Sequence, residues 1–179
     1  MRGLLVGRFQ PFHSGHLGLV QGIRHRSPGS DLLIAIGSAE QSYTWENPFT
    51  AGERFEMIEA ALREAGIDRV SIVMVTDIQR HAIWVRYLEG LLPPFDRVYT
   101  NNPLTRLLFE KAGYTVEGPR LIQRSRFEGI RIRNRLADGL SLEDRVPPAV
   151  ARYLESIGAS ARLSLLRGPR GPPRSLAGP

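Results

Sequence analysis

Short apolar runs alternating with stretches of helical periodicity constrain this chain more than any other feature. LLVG at 4–7 and LLIAIG at 32–37 are apolar throughout and end in glycine, the pattern of strands buried on both faces. VSIVMV at 70–75 and RVYTN at 97–101 continue the series, and YTVEG at 114–118 adds a fifth, weaker strand. Between them lie helical patterns at 16–26, 51–66, 82–92 and 104–113. Phe55, Ile58, Ala61 and Leu62 recur at helical spacing, Gly66 suits the position after a helix end, and Pro93 and Pro94 stop the third helix. Strands separated by single helices need crossover connections. The expected fold is therefore α/β, a doubly wound parallel sheet in three α/β/α layers.

A chain of 179 residues, 42% of them apolar, has enough material for one core. Residues 1–166 are expected to form a single domain whose last part, from about 129, is helical. An end helix is expected at 147–157, after a capping-box-like SLED. The Pro/Gly-rich stretch 167–179 has little to bury and is expected to be disordered. No window approaches the roughly 18 apolar residues of a membrane span, and no leader pattern opens the chain, so a cytoplasmic location is expected. The absence of cysteine removes disulfides and thiolate metal sites. The net charge is +6, and of 24 basic residues only Lys111 is lysine. Arginine suits bidentate contact with phosphate, which leaves nucleotides, nucleic acid and genomic base composition as explanations.

Open sheets of this kind bind ligands beyond the carboxyl ends of the strands, where strand order reverses. GRFQPFHSGHL at 7–17 leaves the first strand there. No two glycines lie two apart, so GxGxxG is absent, and Lys111 is followed by alanine, so there is no P-loop. HSGH remains. With a helix starting near Ser14, free N–H groups and the positive dipole end make an anion site. His13 before that helix and His16 in its first turn are both able to donate to phosphate, while Gly15 permits close approach to the backbone. Donors of this kind suit an in-line displacement in which phosphate charge grows. A metal site is the rival reading, but no third His or Cys stands at the usual spacing. His25 and His81 read as ordinary surface or hydrogen-bonded residues.

GRFQPFHSGH, together with GSAEQSYTWENPFTAGER at 37–54 and HAIWVRYLEGLLPPFDRVYTNNPLTR at 81–106, resembles the archaeal-type nicotinamide-mononucleotide adenylyltransferases over roughly residues 2–155. These belong to the nucleotidyltransferase superfamily of α/β phosphodiesterases, with a Rossmann-like fold. The resemblance implies adenylyl transfer: the 5′-phosphate of nicotinamide mononucleotide (NMN) attacks the α-phosphorus of ATP, giving NAD and pyrophosphate, with Mg²⁺ helping to neutralise the triphosphate. It implies that His13, His16 and Arg133 are catalytic, and that Arg8, Phe9, Gly15, Gly129, Ile130 and Arg131 belong to the ATP site. Gly129, Ile132 and Arg133 fit the late basic motif. Ile130 departs from it, standing where serine or threonine is expected, so Arg131, Ser125 or backbone N–H groups would have to compensate. Trp84 matches a tryptophan that stacks on nicotinamide. Asp77, Gly37, Ser38, Arg54, Asn101 and Asn102 are further expected NMN contacts. Homo-oligomers, often hexamers, are usual in similar proteins.

Each assignment has a plainer rival. Trp84 lies on a helix apolar nearly all round and suits the core; Asp77 suits a cap or turn; the six arginines between 119 and 136 suit a solvated face. Transfer to another phosphorylated acceptor, such as phosphopantetheine, FMN or glycerol phosphate, is the alternative within the superfamily. A nucleic-acid-binding protein is the alternative outside it, and it leaves HSGH unexplained.

Overall fold

A computed structural model describes residues 1–118 and 127–168. The strands are β1 (Arg2–Gly7), β2 (Asp31–Ile36), β3 (Val70–Met74), β4 (Arg97–Tyr99) and β5 (Thr115–Glu117). Interleaved with them are α1 (Ser14–Arg26), α2 (Ala51–Glu64), α3 (His81–Leu91) and α4 (Pro103–Lys111), followed by α5 (Gly129–Ala137), α6 (Pro148–Ser156) and α7 (Ala159–Arg167). All pairings in the sheet are parallel and its order is β3-β2-β1-β4-β5. The chain winds outward from β1 to β3, then crosses back to lay β4 against the other side of β1. The reversal point therefore lies between β1 and β4, at the mouth from which GRFQPFHSGHL emerges.

Alternation along the strands sends side chains to two cores. Leu5, Leu32, Ile34, Ile36 and Tyr99 pack with α1, α2, α5, α6 and α7. Leu4, Leu33, Ala35 and Val98 pack with α3 and α4 through Val85, Leu88 and Phe109. The three-layer expectation is met. At 0% exposure for residues such as Leu4, Leu33, Ile34 and Ile58, each side chain contributes about 1.5–3 kcal/mol of burial.

Helix α7 is the element absent from the sequence reading. It starts after Gly158, whose φ of 62° turns the chain sharply away from α6, and it buries only Ala159 and Leu163. So short an apolar stripe carries little periodic signal. Arg167 is its last residue and belongs to the folded unit, since it donates to Asp138 and to the Asn134 carbonyl and lies over the Trp45 ring. The expected disordered stretch otherwise falls at 169–179, and Ser125 and the first part of the arginine cluster at 119–126, outside the described residues.

Candidate active site

The turn after β1 is built from strained and buried parts. Phe9 holds a φ of 52° and buries its ring at 2% exposure, and the Gln10–Pro11 peptide is cis. Gly7 is required beneath it, because a Cβ there would lie 2.8 Å from the Phe9 ring. The Phe9 ring is thus part of the core. Three outside groups fix the turn. Arg54 Nη1 donates to the Arg8 carbonyl at 3.0 Å. The Gln10 amide bonds the Phe49 backbone at both ends, at 2.9 and 3.0 Å. Arg133 Nη1 donates to the Gln10 carbonyl at 3.0 Å.

His13 is the N-cap of α1 and His16 stands three residues on, where a capping box places its second member. The His16 N–H donates to His13 Nδ1, and the His13 N–H donates to His16 Nδ1, each at 3.3 Å. The rings stack at 3.5 Å and 17°. Phe12 stacks on His16 at 5.4 Å, Phe9 meets it edge-on at 4.9 Å, and Phe127 lies parallel to His13 at 6.2 Å. Burial pulls the His13 imidazole from 6.5 down to about 4. It holds His16 well below the ordinary value as well, with the neighbouring His13 adding repulsion. Both rings are accordingly neutral at physiological pH. With each Nδ1 accepting, each proton sits on Nε2, so the pair presents two N–H donors.

Gly15 serves this packing. A Cβ there would lie 2.9 Å from the Phe127 Cβ and 3.1 Å from His13 Nδ1, so this close packing needs a glycine.

Arg133 reaches the same turn from α5. It is 8% exposed, and its Nε is buried with no partner. Burial, reinforced by repulsion from Arg8 and opposed by Glu46, lowers the guanidinium to about 10, so it stays charged. Gly129 lets the first turn of α5 close on the Gln10 carbonyl, which would be 3.2 Å from a Cβ. The side chains of Ile130 and Arg131 point elsewhere: Ile130 is 40% exposed, and Arg131 pairs with Glu128 at 3.1 Å. Among the described residues no side-chain hydrogen bond caps the start of α5.

A second cleft of about 220 Å³ opens at the end of β3, lined by Asp77, Arg80, His81, Trp84, Thr105 and Leu108 among others. Trp84 belongs both to the core and to the cleft wall. One part of its ring packs edge-on against Phe109 at 5.5 Å, and the side chain also lines the cleft. Asp77 accepts from Ser38 Oγ at 2.5 Å, and its N–H donates to Glu40 at 3.1 Å. Ser38 takes a φ of 49°, and the Gly37 N–H donates to the Gly7 carbonyl at 2.9 Å.

Two of the residues expected to contact nucleotide have structural roles. Arg54 is fully buried, and four of its five N–H groups go to the carbonyls of Thr50, Arg8, Gly37 and Ser38, so it ties the two loops together from behind. Asn102 caps α4 by accepting the Thr105 N–H at 3.0 Å. A buried arginine and a capping asparagine look the same in sequence as ligand-binding ones. Asn101 stands beside Gly118 at the β4 end, with its Oδ1 3.3 Å from where a Cβ would be.

Gln10, Phe49 and Phe127 are the residues the sequence reading passed over, although Gln10 lies inside the quoted motif. Its signal was a buried polar side chain between two aromatics. Arg162 belongs with them: from α7 it forms a two-point pair with Glu53 at 2.7 and 2.8 Å and reaches the Pro48 carbonyl, bracing the segment that holds Gln10.

Among the described residues no three His, Cys, Asp or Glu side chains are grouped to hold a metal ion, and no helix is long and apolar enough to cross a membrane. The donors at the β1 exit are N–H groups, which suit phosphate oxygens rather than a cation.

A neutral imidazole pair, a buried guanidinium and a helix N-terminus at the reversal point of a parallel sheet define a phosphate-handling α/β protein. The chain belongs to the cytidylyltransferase-like family, whose model matches residues 4–135. Its relatives narrow this further. The chain is 44% identical to the nicotinamide-nucleotide adenylyltransferase of Picrophilus torridus over 163 residues, covering 91% of this chain and 95% of that one. It is 42% identical to the enzyme of the same name from Archaeoglobus fulgidus, over 94% and 98%. It is a member of the nicotinamide-nucleotide adenylyltransferase family. A solved bifunctional NMN adenylyltransferase/ADP ribose pyrophosphatase from Francisella tularensis, complexed with AMP and manganese, superposes with a TM-score of 0.75 at 21% identity. That alignment covers 92% of this chain and about half, 51%, of the larger one, and it shows a shared fold.

Proposed function

We propose that His13, His16 and Arg133 carry out in this chain the adenylyl transfer for which its family is named. The 5′-phosphate oxygen of NMN attacks the α-phosphorus of ATP, the bond to the bridging oxygen breaks, and NAD and pyrophosphate leave. The nucleophile is already ionised, so no general base is needed and no covalent intermediate forms. Catalysis then consists of positioning and charge stabilisation. The two Nε2–H donors take the phosphate oxygens whose charge rises. Arg133, whose Nε has no protein partner, grips the leaving pyrophosphate with Arg8 beside it. Mg²⁺ enters with ATP, as the substrate complex. The cleft of Trp84 and Asp77 receives NMN, with the cationic pyridinium against the indole face.

The observation that carries this reading is the reciprocal capping of His13 and His16, which leaves both free edges as donors. Ten arginines of the described residues pair with carboxylates, which weakens the competing picture of a bare cationic surface for nucleic acid. We further propose self-association, supported by Ile83, Leu91, Leu104 and Leu107 on α3 and α4, each about half exposed. The deciding experiment measures pyrophosphate release from ATP with NMN, phosphopantetheine, FMN or glycerol 3-phosphate as acceptor. Release with NMN that exceeds the others by at least tenfold is expected, and equal release with another acceptor overturns the assignment.

A further inference from the structure

The stacked rings pose a question that the transfer itself does not answer. Imidazoles donating from Nε2 are useful only while Nδ1 keeps accepting the backbone N–H of the other residue. A proton on His13 Nδ1 would face the His16 N–H, donor against donor, and open the cap. Something must therefore keep water, and with it protonation, away from the stack. On the His16 side Phe9 and Phe12 are core residues at 2% and 0% exposure. On the His13 side stands one ring, Phe127, at 6.2 Å and 17°. It comes from outside the motif, two residues before α5, and Gly15 is the residue that makes room for it, since a Cβ there would collide with the Phe127 Cβ at 2.9 Å.

We infer that Phe127 is a positioning residue: its ring covers the His13 imidazole and holds the stacked histidine pair in place, tying that pair to the start of the helix that carries Arg133. The inference rests on the phosphate-donor reading of His13 and His16. Among the described residues, the charged groups near Arg133 at this mouth are Arg8 on the β1 exit and Glu46 ahead of α2, and Arg145 contributes its carbonyl to the Ser14 N–H. None of their charges is among the causes that lower His13 or His16; burial leads for both. Cover, rather than a charge partner, is what Phe127 supplies.

The test is nitrogen-15 NMR titration of the free enzyme, in which four histidines are assigned with His25→Gln and His81→Gln, alongside turnover at pH 8. In the native chain two histidines should remain neutral with the proton on Nε2 down to about pH 5. Phe127→Ala should move His13 titration up by about one unit or more toward 6.5 and lower kcat by about tenfold, the scale of a misplaced donor. Phe127→Leu, apolar but not aromatic, should restore most of both. If alanine does not fold, Phe127→Gln keeps bulk beside Gly15, exposes the ring to a polar amide, and makes the same comparison. An unmoved His13 titration in the folded alanine or glutamine variant, or a leucine variant no better than alanine, overturns the inference. The titration uses no substrate, so its outcome is separate from whether the histidines catalyse.

Discussion

The Arg133 guanidinium donates to the Gln10 carbonyl across 3.0 Å and 123 positions of sequence, which fixes the late basic helix on the turn that leaves the first strand. One Arg133 nitrogen is thus spent on the scaffold, and its buried Nε has no hydrogen-bond partner. Arg133→Lys keeps the charge and loses the fork. We expect kcat/KM for ATP to fall about 10²-fold in pyrophosphate-release kinetics, the scale for one transition-state donor. A loss under threefold would show that charge alone suffices there.

His16→Ala removes one phosphate donor and the acceptor for the His13 N–H. Turnover should fall about 10²-fold or more. Stability should fall by about 2–5 kcal/mol, since the ring packed on His13, Phe12 and Phe9 is lost along with the N-cap interaction. Near-normal kcat would take His16 out of the reaction.

Trp84→Ala should raise KM for NMN with a smaller change in kcat, because in the proposed assignment the ring binds the acceptor alike before and during reaction. Its contact with Phe109 predicts some loss of stability as well, so KM is to be measured well below the unfolding temperature. A rise in KM for ATP alone would mean that the two clefts are exchanged.

Stability should depend on pH in the acid range. Unfolded His13 titrates near 6.5 and folded His13 near 4, so between these values the unfolded chain binds the extra proton. The contribution of neutral His13 is complete above pH 6.5, declines as pH falls, and levels off below about 4. By pH 5 the loss is about 2 kcal/mol from this residue, and His16, lowered in the same direction, adds to it. Urea midpoints at pH 7.5 and pH 5 should differ accordingly, and His13→Gln should flatten the difference.

Arg54→Leu should destabilise by several kcal/mol, since it strands the carbonyls of Arg8, Gly37 and Ser38, the last of them buried. Arg54→Lys should recover only part of this. Melting temperature is the readout, and a variant with native stability but weakened nucleotide binding would restore Arg54 to the site.

The sequence by itself determined the layered α/β architecture, the strand and helix positions through residue 118, and the segment that holds the histidines. Those features are written in local periodicity, in the placement of glycine and proline, and in one dense motif. Tertiary structure alone decided which polar residues are tied up inside the fold and which are not. Arg54 and Arg133 are both buried arginines, yet one spends nearly all its donors on carbonyls and the other keeps a free Nε. The tautomers of His13 and His16, the partnership of Gln10 with Phe49, the cover supplied by Phe127 and the brace from α7 likewise join residues that no local pattern connects. Hydrogen-bond partners and burial are properties of the packed chain, and a side chain's chemistry is fixed only when its surroundings are.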